Sequence, residues 1–392
     1  MILSILDTDL YKFSMSYAYF CLYPLAEGTF RFTDRNKEDW SGDEKILEDF
    51  KLEFAHLSNI KLVKEEKEWA IRTIPYIHAN YWEWLGTFQY DLSKMKFWID
   101  EEGVFQCEVT DVMYKATLYE IPVLYTLAAL RNKRKAQASR DRIIETLDKK
   151  IEFANQNGIP FSEFGTRRRF SSAVHEEVVK RIKLHSFTCV GTSNVHFAMK
   201  YGMVPQGTVA HEFIMFHAAV FGYKRANWLS LENWIKVYDG ALGTALIDTY
   251  TTDSFLRTLT RKHALLLPSF RQDSGDEFLI GNKIIARLKE FGIDPQSKAV
   301  IFSNSLNMDK AKDIMEYFRT RIKVGFGIGT DLTCDLGDPS WKAPNYVMKL
   351  WRCRMSPKDP WEYGLKISDD QGKFMGPEEE YKIACYELHL SR

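Results

Sequence analysis

The spacing of apolar and polar positions divides the chain into two styles. In the first third, apolar residues recur at helical spacing over residues 9–22, 44–54 and 64–71. Strict alternation, which is typical of half-buried strands, marks residues 28–35, 96–100 and 103–109. The Glu-Glu-Gly between the last two runs predicts a hairpin. This part of the chain therefore predicts an α+β domain.

A repeated unit of short apolar run, polar tip and helix begins after a long helical pattern at residues 123–157. The polar tips lie at residues 164–167, 191–194, 207–211, 248–250, 271–276, 303–305 and 327–330. Strands that alternate with helices predict a parallel sheet. Seven units suggest a closed or nearly closed barrel, although an open doubly wound sheet also satisfies the right-handed crossover rule.

The chain has 392 residues, which is long for a single core. After residue 340 the pattern returns to that of the first third. We therefore predict an α+β domain built from both termini, residues 1–122 plus 340–392, and an α/β barrel domain at residues 123–339.

Composition narrows the classes of partner. Lys+Arg 53 balances Asp+Glu 53, so no overall charge favours nucleic acid or a membrane surface. The basic run at residues 131–135 is interpreted as a solvated helix face. Six scattered cysteines fit a reducing compartment, and no apolar stretch reaches the roughly 20 residues that span a bilayer. We expect a cytoplasmic protein without nucleic-acid or membrane partners.

The stretch at residues 265–276 carries the clearest chemical signal. An apolar run, Leu-Leu-Leu-Pro-Ser-Phe, predicts a buried strand that ends in Arg-Gln-Asp-Ser-Gly-Asp. In parallel α/β folds, functional groups collect at such strand ends. The Arg271 guanidinium suits a carboxylate or phosphate, and Asp273 and Asp276 suit sugar hydroxyls or magnesium-bound water.

Other tips suggest a phosphate site. Ser303 and Asn304, like Gly329 and Thr330, are small residues that let backbone N–H groups approach an anion. The last two strands of a barrel often hold phosphate in this way. Within Arg-Arg-Arg at residues 167–169, one side chain is expected to face a phosphate while its neighbours face solvent.

Several catalytic classes are excluded by missing residues. The pair His211-Glu212 would open a zinc-protease motif only if position 215 were histidine, and it is Met215. The sequence contains neither a Gly-x-Ser-x-Gly nucleophile elbow nor a Gly-x-x-x-x-Gly-Lys-Ser/Thr phosphate loop.

Seven motifs in order resemble those of nicotinate phosphoribosyltransferases, with the bacterial form as the nearest pattern. They are Thr-Asp-Leu-Tyr-Lys at 8–12, Phe-Gly-Thr-Arg-Arg-Arg-Phe-Ser at 164–171, Gly-Thr-Ser-Asn at 191–194, Gly-Thr-x-Ala-His-Glu at 207–212, Asp-Ser-Gly-Asp at 273–276, Gly-Ile-Asp-Pro-Gln-Ser-Lys at 292–298 and Phe-Gly-Ile-Gly-Thr at 326–330. The resemblance implies an irregular seven-stranded α/β barrel of the type II phosphoribosyltransferases. It also implies ATP-coupled synthesis of nicotinate mononucleotide from nicotinate and phosphoribosyl diphosphate, a Mg²⁺ requirement and a homodimer with a shared site.

The resemblance also assigns residue roles. His211 matches the histidine that ATP phosphorylates, and Tyr11 and Phe164 match aromatics on either side of the pyridine ring, with Tyr11 expected from the partner subunit. The remaining matches are Thr208 and Arg271 for nicotinate, Arg167 for phosphate, Asp273 for ribose or magnesium-bound diphosphate, and Ser303, Asn304, Gly329 and Thr330 for the 5′-phosphate. Asn304 and Asn307 depart from the family pattern, which often has aspartates there.

Two other functions stay open at this point. A nicotinamide phosphoribosyltransferase is the nearest, because Arg271 alone does not exclude the amide. A non-enzymatic protein that binds a phosphate ligand or RNA through residues 131–135 and 167–169 is the second. An aldolase-type barrel is disfavoured, since no lysine stands at a strand tip.

Overall fold

The computed structural model describes residues 4–43, 45–135 and 140–390. Its strands are β1 (Glu27–Asp34), β2 (Met95–Ile99), β3 (Phe105–Val112), β4 (Phe161–Glu163), β5 (Cys189–Thr192), β6 (Thr244–Leu246), β7 (Ser269–Gln272), β8 (Ala299–Phe302), β9 (Lys323–Ile328), β10 (Tyr346–Arg354), β11 (Glu362–Tyr363), β12 (Lys366–Ile367) and β13 (Phe374–Met375).

The helices lie between and around these strands. They are α1 (Leu10–Leu22), α2 (Ile46–Leu57), α3 (Lys64–Thr73), α4 (Ala79–Leu85), α5 (Met113–Ala116), α6 (Glu120–Lys135), α7 (Arg140–Asn157), α8 (Ser172–His185), α9 (Val195–Tyr201), α10 (His211–Phe221), α11 (Tyr223–Tyr238), α12 (Thr252–Thr258), α13 (Arg261–Leu266), α14 (Glu277–Glu290), α15 (Met308–Phe318), α16 (Thr330–Thr333) and α17 (Glu378–Leu388).

An antiparallel sheet joins the two ends of the chain. Its strand order is β11-β10-β1-β3-β2, and β1 pairs with β10 so that Phe30 lies opposite Leu350. The predicted hairpin is confirmed, because β2 pairs antiparallel with β3 and Phe97 lies opposite Cys107. Buried side chains of these alternating strands pack in one cluster with α1, α2, α6 and α10.

A parallel sheet with the strand order β5-β4-β9-β8-β7-β6 forms the second half of the fold. The α/β class is therefore confirmed, with six hydrogen-bonded strands where the sequence suggested seven. The remaining unit, whose tip lies at residues 207–211, contributes an extended segment instead of a strand. Pro205 makes a parallel bridge to Thr192 of β5. Thr208 Oγ1 donates a hydrogen bond to the Thr244 carbonyl of β6 at 3.1 Å. This segment links the two sheet edges, which is compatible with an irregular barrel.

Two local predictions are wrong. The apolar run at residues 265–270 is not a strand from its start, because Thr260 caps α13 and keeps Leu265 and Leu266 helical and half-exposed. The strand begins only after Pro268, so Arg271 lies inside β7 rather than beyond its end. The helical pattern at residues 123–157 is two helices, α6 and α7, and residues 136–139 lie outside the described part.

The basic run at the end of α6 is also different from the prediction. Arg131 is buried, donates from Nε to Glu38 at 2.6 Å and from NH2 to the Lys342 carbonyl. Arg134 pairs with two aspartates, and Lys135 pairs with Glu38. These cations attach α6 to neighbouring segments, so they do not form a freely solvated face.

Buried apolar side chains form two clusters. One unites the N-terminal third, α10, α11 and the strands after residue 346, and the other lies between the parallel sheet and its outer helices. Helix α10 therefore belongs to the barrel by chain order but packs in the first cluster, and the domain boundaries stay predictions. No helix in the described ranges is both long and apolar enough to cross a bilayer.

A buried charge cluster attaches α1 to this first core. The Lys12 ammonium is fully buried and forms ion pairs with Glu120 and Glu212, the latter at 2.5 Å. Thr117 Oγ1 also donates to Glu212 at 2.5 Å. Because each charge has a partner, the cluster is stable in the interior and fixes the position of the helix that carries Tyr11.

Replacing Lys12 with Met should leave two buried carboxylates without their cation. We expect Lys12→Met to lower the free energy of unfolding by about 3–5 kcal/mol in urea titrations at pH 7. The matched control is Lys283→Met, which removes an ion pair to Asp253 on the surface and should cost less than about 1 kcal/mol. Equal effects of the two variants would contradict this interpretation.

Candidate active site

The ends of the parallel strands meet at one edge of the sheet. A Cβ placed on Gly327 of β9 would lie 3.4 Å from Cβ of Ser303 and 3.5 Å from Cδ2 of Phe164. Ser303 Oγ donates to Asp273 Oδ1 at 2.8 Å, and Asp273 Oδ2 lies 3.1 Å from Nε2 of His211. These contacts connect the tips after β4, β7, β8 and β9 with the start of α10.

His211 is buried between two oxygen atoms. Its Nδ1 lies 3.0 Å from Oγ1 of Thr249 and its Nε2 lies 3.1 Å from Asp273. Burial, assisted by the nearby Lys366 charge, holds the pKa of His211 well below its usual value. The ring is therefore neutral at pH 7. Since a carboxylate only accepts, Nε2 carries the proton and the lone pair on Nδ1 faces the Thr249 hydroxyl.

Asp273 is the charged centre of this edge. Burial alone would raise the pKa of its carboxyl, but the charge of Arg271 and the hydrogen bond from His211 hold that pKa well below its usual value. Arg271 donates from NH2 to Asp273 at 3.0 Å and from Nε to Ser303 at 2.9 Å. NH1 points to the Val209 carbonyl at 3.5 Å, so Arg271 keeps further N–H groups for a ligand.

Asp248 is a site residue that the sequence analysis did not single out. It follows β6, is fully buried, and its Oδ2 accepts from Ser274 Oγ at 2.5 Å. Its Oδ1 has no hydrogen-bond partner among the described residues, and burial raises its pKa to about 7. Ligand atoms of Asp248, His211 and Asp273 all lie within 4.8 Å of one another. The signal in the sequence that could have identified Asp248 was its position in the polar tip at residues 248–250.

Three basic side chains near this edge have no hydrogen-bonded acidic partner in the described ranges. The side chains of Arg167, Lys349 and Lys366 form no hydrogen bond or ion pair within the described ranges. The charges of Lys366 and Lys349 nevertheless act on His211, and Arg167 acts on Lys349. Burial lowers the pKa of Lys349 to about 7, against the opposing charge of Glu120, and burial together with the Arg167 charge also lowers the pKa of Arg35. Glu120 acts on Lys349 in the opposite sense, but a cluster of cations without hydrogen-bonded carboxylates suits a polyanion.

The run at residues 167–169 behaves partly as predicted. Arg167 is the half-buried member without a partner. Its neighbours do not face solvent: Arg168 donates to the Tyr346 carbonyl at 3.0 Å, and Arg169 is buried against Asp7. One arginine is thus left for a ligand, and two are used by the fold.

The two aromatic candidates reach the same edge. Phe164 follows β4 and donates its backbone N–H to the Ile328 carbonyl at 2.8 Å. Tyr11 lies in α1 of the same chain, and a Cβ on Gly207 would be 3.2 Å from its backbone nitrogen. Burial raises the pKa of Tyr11, while the charges of Arg167 and Arg271 oppose that rise. A partner-supplied Tyr11 stays a prediction, but the chain's own helix already brings this residue to the site.

The predicted phosphate residues have separate surroundings. A Cβ on Gly329 would lie 2.8 Å from the Phe164 carbonyl, so only glycine fits there. The Thr330 hydroxyl forms no hydrogen bond within the described ranges, whereas Asn304 Nδ2 points to the Gly275 carbonyl at 3.4 Å. Ser303 belongs to the network of Asp273 and Arg271. Gly329 and Thr330 therefore remain the better candidates for a phosphate.

Two other candidates have structural partners. Asp276 caps α14 by accepting from the Leu279 N–H at 2.7 Å, so its carboxylate is used locally. Thr208 directs its hydroxyl hydrogen to Thr244 and its carbonyl to Ser14, which ties the extended segment to β6 and α1. Neither side chain was expected to have these roles.

A parallel α/β sheet with ionisable groups gathered along its carboxyl edge is the architecture of an enzyme. The nicotinate phosphoribosyltransferase (NAPRTase) family matches residues 159–385, and the N-terminal domain of the same family matches residues 6–128. The chain belongs to the nicotinate phosphoribosyltransferase family.

Individual relatives match along the whole chain. The nicotinate phosphoribosyltransferase of Desulforapulum autotrophicum is 36% identical over 385 residues, which are 97% of each chain. That of Chromohalobacter salexigens is 36% identical over 100% of both. Among solved structures, the enzyme from Porphyromonas gingivalis superposes with a TM-score of 0.97 at 41% identity and covers 100% of both chains.

The depressed pKa of Lys349 generates a stability prediction. Because the folded-state pKa is about 7 and the unfolded value is 10.5, the buried charge destabilises the fold most below pH 7. Lys349→Met should therefore raise the free energy of unfolding at pH 6.5 by about 3–5 kcal/mol, and the gain should shrink towards pH 9.5. Urea titrations at both pH values measure this, with the exposed Lys342→Met as control. A gain that grows with pH would contradict the assignment.

Proposed function

We propose that this chain transfers the phosphoribosyl group of phosphoribosyl diphosphate to nicotinate, and that ATP hydrolysis through phosphorylated His211 is coupled to the transfer. The observation that carries the proposal is the convergence of a neutral histidine, the Arg271–Asp273 pair and unpaired cations at one sheet edge. Membership of the family supports the same substrates.

The transfer needs positioning more than proton chemistry. The ring nitrogen of nicotinate has a free lone pair, so no general base is required to activate it. This nitrogen forms a bond to C1 of the ribose while the bond from C1 to the diphosphate oxygen breaks. The protein must align the two reactants and stabilise the charge of the departing diphosphate.

The aromatic acid fits the side of the site near α1. We assign Tyr11 and Phe164 to the two faces of the ring, because both reach the edge beside Arg271. The free N–H groups of Arg271 would bind the carboxylate of nicotinate. The Thr208 hydroxyl donates its hydrogen to the Thr244 carbonyl. We therefore assign Thr208 to linking the extended segment to β6 rather than to a hydrogen bond with nicotinate.

The sugar phosphate and diphosphate fit the opposite side. Gly329 and Thr330 would hold the 5′-phosphate with backbone and hydroxyl donors, together with Arg167. Lys349 and Lys366 would pair with the diphosphate, whose charge compensates their burial. The carboxylates of Asp248 and Asp273 are hard oxygen donors that fit Mg²⁺, which would supply positive charge to the leaving group.

His211 is suited to accept a phosphoryl group. A neutral imidazole attacks through the nitrogen that carries its lone pair, and Asp273 holds the proton on the other nitrogen. The lone pair is therefore on Nδ1, next to Thr249. Phosphorylation would place acceptor oxygens beside the cationic cluster and order it for phosphoribosyl diphosphate, and hydrolysis of the phosphohistidine would reset the site.

Mixing the protein with nicotinate, phosphoribosyl diphosphate and Mg²⁺, with and without ATP, tests this function directly. We expect mononucleotide to form in both mixtures, faster with ATP, and acid-labile phosphate to appear on the protein only with ATP. His211→Ala should lose the labile phosphate and all nicotinate-stimulated ATP hydrolysis. The surface control His185→Ala should behave as the wild type, and retained coupling in His211→Ala would disprove the role.

The amide-using alternative differs only at the ring substituent. A buried arginine left unsatisfied by the neutral amide can favour the acid by roughly 10⁴-fold. We expect kcat/KM to be higher for nicotinate than for nicotinamide, and Arg271→Met to erase most of that preference. Side-by-side turnover of both substrates measures it. Better use of nicotinamide by the wild-type protein would reverse the assignment.

The basic run at residues 131–135, which the RNA-binding alternative requires, is largely engaged in ion pairs. Arg131, Arg134 and Lys135 are engaged with Glu38, Asp43 and Asp49, so they do not present free cations. We also propose a homodimer and a cytoplasmic location, for which sedimentation and fractionation are the tests.

A further inference from the structure

A buried polar network lies beneath the tip that carries Phe164. Glu163 ends β4 and has no exposed surface. Its Oε1 accepts hydrogen bonds from the backbone N–H of Gly165 at 2.5 Å and from His175 Nε2 at 3.0 Å, and its Oε2 accepts from Thr192 Oγ1 at 2.5 Å. One carboxylate therefore fixes the backbone just after Phe164 and the end of the neighbouring strand.

His175 connects this carboxylate to an arginine. Its Nδ1 lies 3.5 Å from NH1 of Arg169, and a guanidinium group can only donate. Nδ1 must therefore present its lone pair, and Nε2 carries the proton that it donates to Glu163. The ring also packs edge-on against Phe197, with centroids 5.0 Å apart, so its orientation is set by both packing and hydrogen bonds.

The network continues to the N-terminal segment. Arg169 donates two hydrogen bonds to Asp7, at 2.7 and 2.8 Å, and its guanidinium lies over the Tyr125 ring at 4.1 Å. Asp7 Oδ1 also accepts from Asn194 Nδ2 at 2.8 Å. Helix α1 begins three residues after Asp7 and carries Tyr11. The network thus runs from the segment that holds one aromatic ring to the segment that holds the other.

We propose that Glu163 is a positioning residue which, through His175 and the Arg169–Asp7 pair, fixes the separation of Phe164 and Tyr11 and thereby sets the affinity for a flat aromatic ring. The inference rests on the proposed function, which places nicotinate between these rings. No hydrogen bond or ion pair in the described ranges joins this network to His211, so phosphorylation of that histidine is independent of it.

The test separates positioning from general stability. Glu163→Ala should lower kcat/KM for nicotinate roughly 10- to 100-fold, with a raised KM, as expected for a misplacement of about 1 Å, and leave ATP-dependent labelling of His211 within about twofold. Glu163→Gln keeps a carbonyl acceptor and should recover most of the affinity. Calorimetry with nicotinate gives the same ranking without turnover. The control is Glu176→Gln. Glu176 lies next to His175 in α8, and its carboxylate forms an ion pair with Lys200 of α9.

A second variant tests the same network if Glu163→Ala does not fold. His175→Phe keeps the ring packing against Phe197 but removes both nitrogens, and it should raise the KM for nicotinate in the same way. An unchanged KM in these variants would overturn the proposal. So would equal losses of nicotinate affinity and His211 labelling with a lowered Tm, since the network would then be structural only. A wild-type protein that makes no mononucleotide at all would overturn both this inference and the proposed function.

Discussion

The carboxylate of Asp273 receives hydrogen bonds from Arg271, Ser303 and His211, which come from three segments of the chain. A buried carboxylate without partners would be protonated, and these donors keep it ionised. Its charge in turn decides which nitrogen of His211 carries a proton and which way the Ser303 hydroxyl points. The orientations of the Arg271 guanidinium, the Ser303 hydroxyl and the His211 ring therefore all depend on this one charge.

The protein treats its buried cations in two ways. Lys12 is deep in the first core and has two carboxylate partners, so it stabilises the packing of α1. Lys349 lies beside Arg167 without a hydrogen-bonded partner, and its pKa falls to about 7 as a result of burial. A site that binds a polyanion keeps cations without hydrogen-bonded carboxylates until the ligand arrives, at a cost in stability.

Periodicity predicted the parts of the fold that depend on local patterns. The β2–β3 hairpin, helices α2 and α3 and the α/β class are confirmed because alternation and helical spacing are local signals. The run of three leucines was misassigned because a capping threonine at residue 260 starts a short helix there. The unit with its polar tip at residues 207–211 was expected to contain a strand, and instead gives a bridge at Pro205 and a side-chain hydrogen bond from Thr208.

Site residues were predictable when they stand alone at a strand tip. Asp273 follows β7 as predicted, Arg271 lies within that strand, and the role of His211 came from the family resemblance; the structure brings the three side chains together. Lys349 in β10, Lys366 in β12 and Arg35 just after β1 were missed because they are distant in the chain from the strand tips, and they approach the edge of the parallel sheet only in the folded protein. The ion pairs of residues 131–135 were missed for the same reason, since Glu38 and Asp43 are distant in the chain.

The most direct measurement is a crystal structure of the protein with nicotinate mononucleotide. The pyridine ring should lie between Tyr11 and Phe164, with its carboxylate on Arg271 and its 5′-phosphate at Gly329 and Thr330. A nucleotide bound away from the edge that joins His211, Arg271 and Thr330, or one whose phosphate and ring are exchanged, would contradict the account.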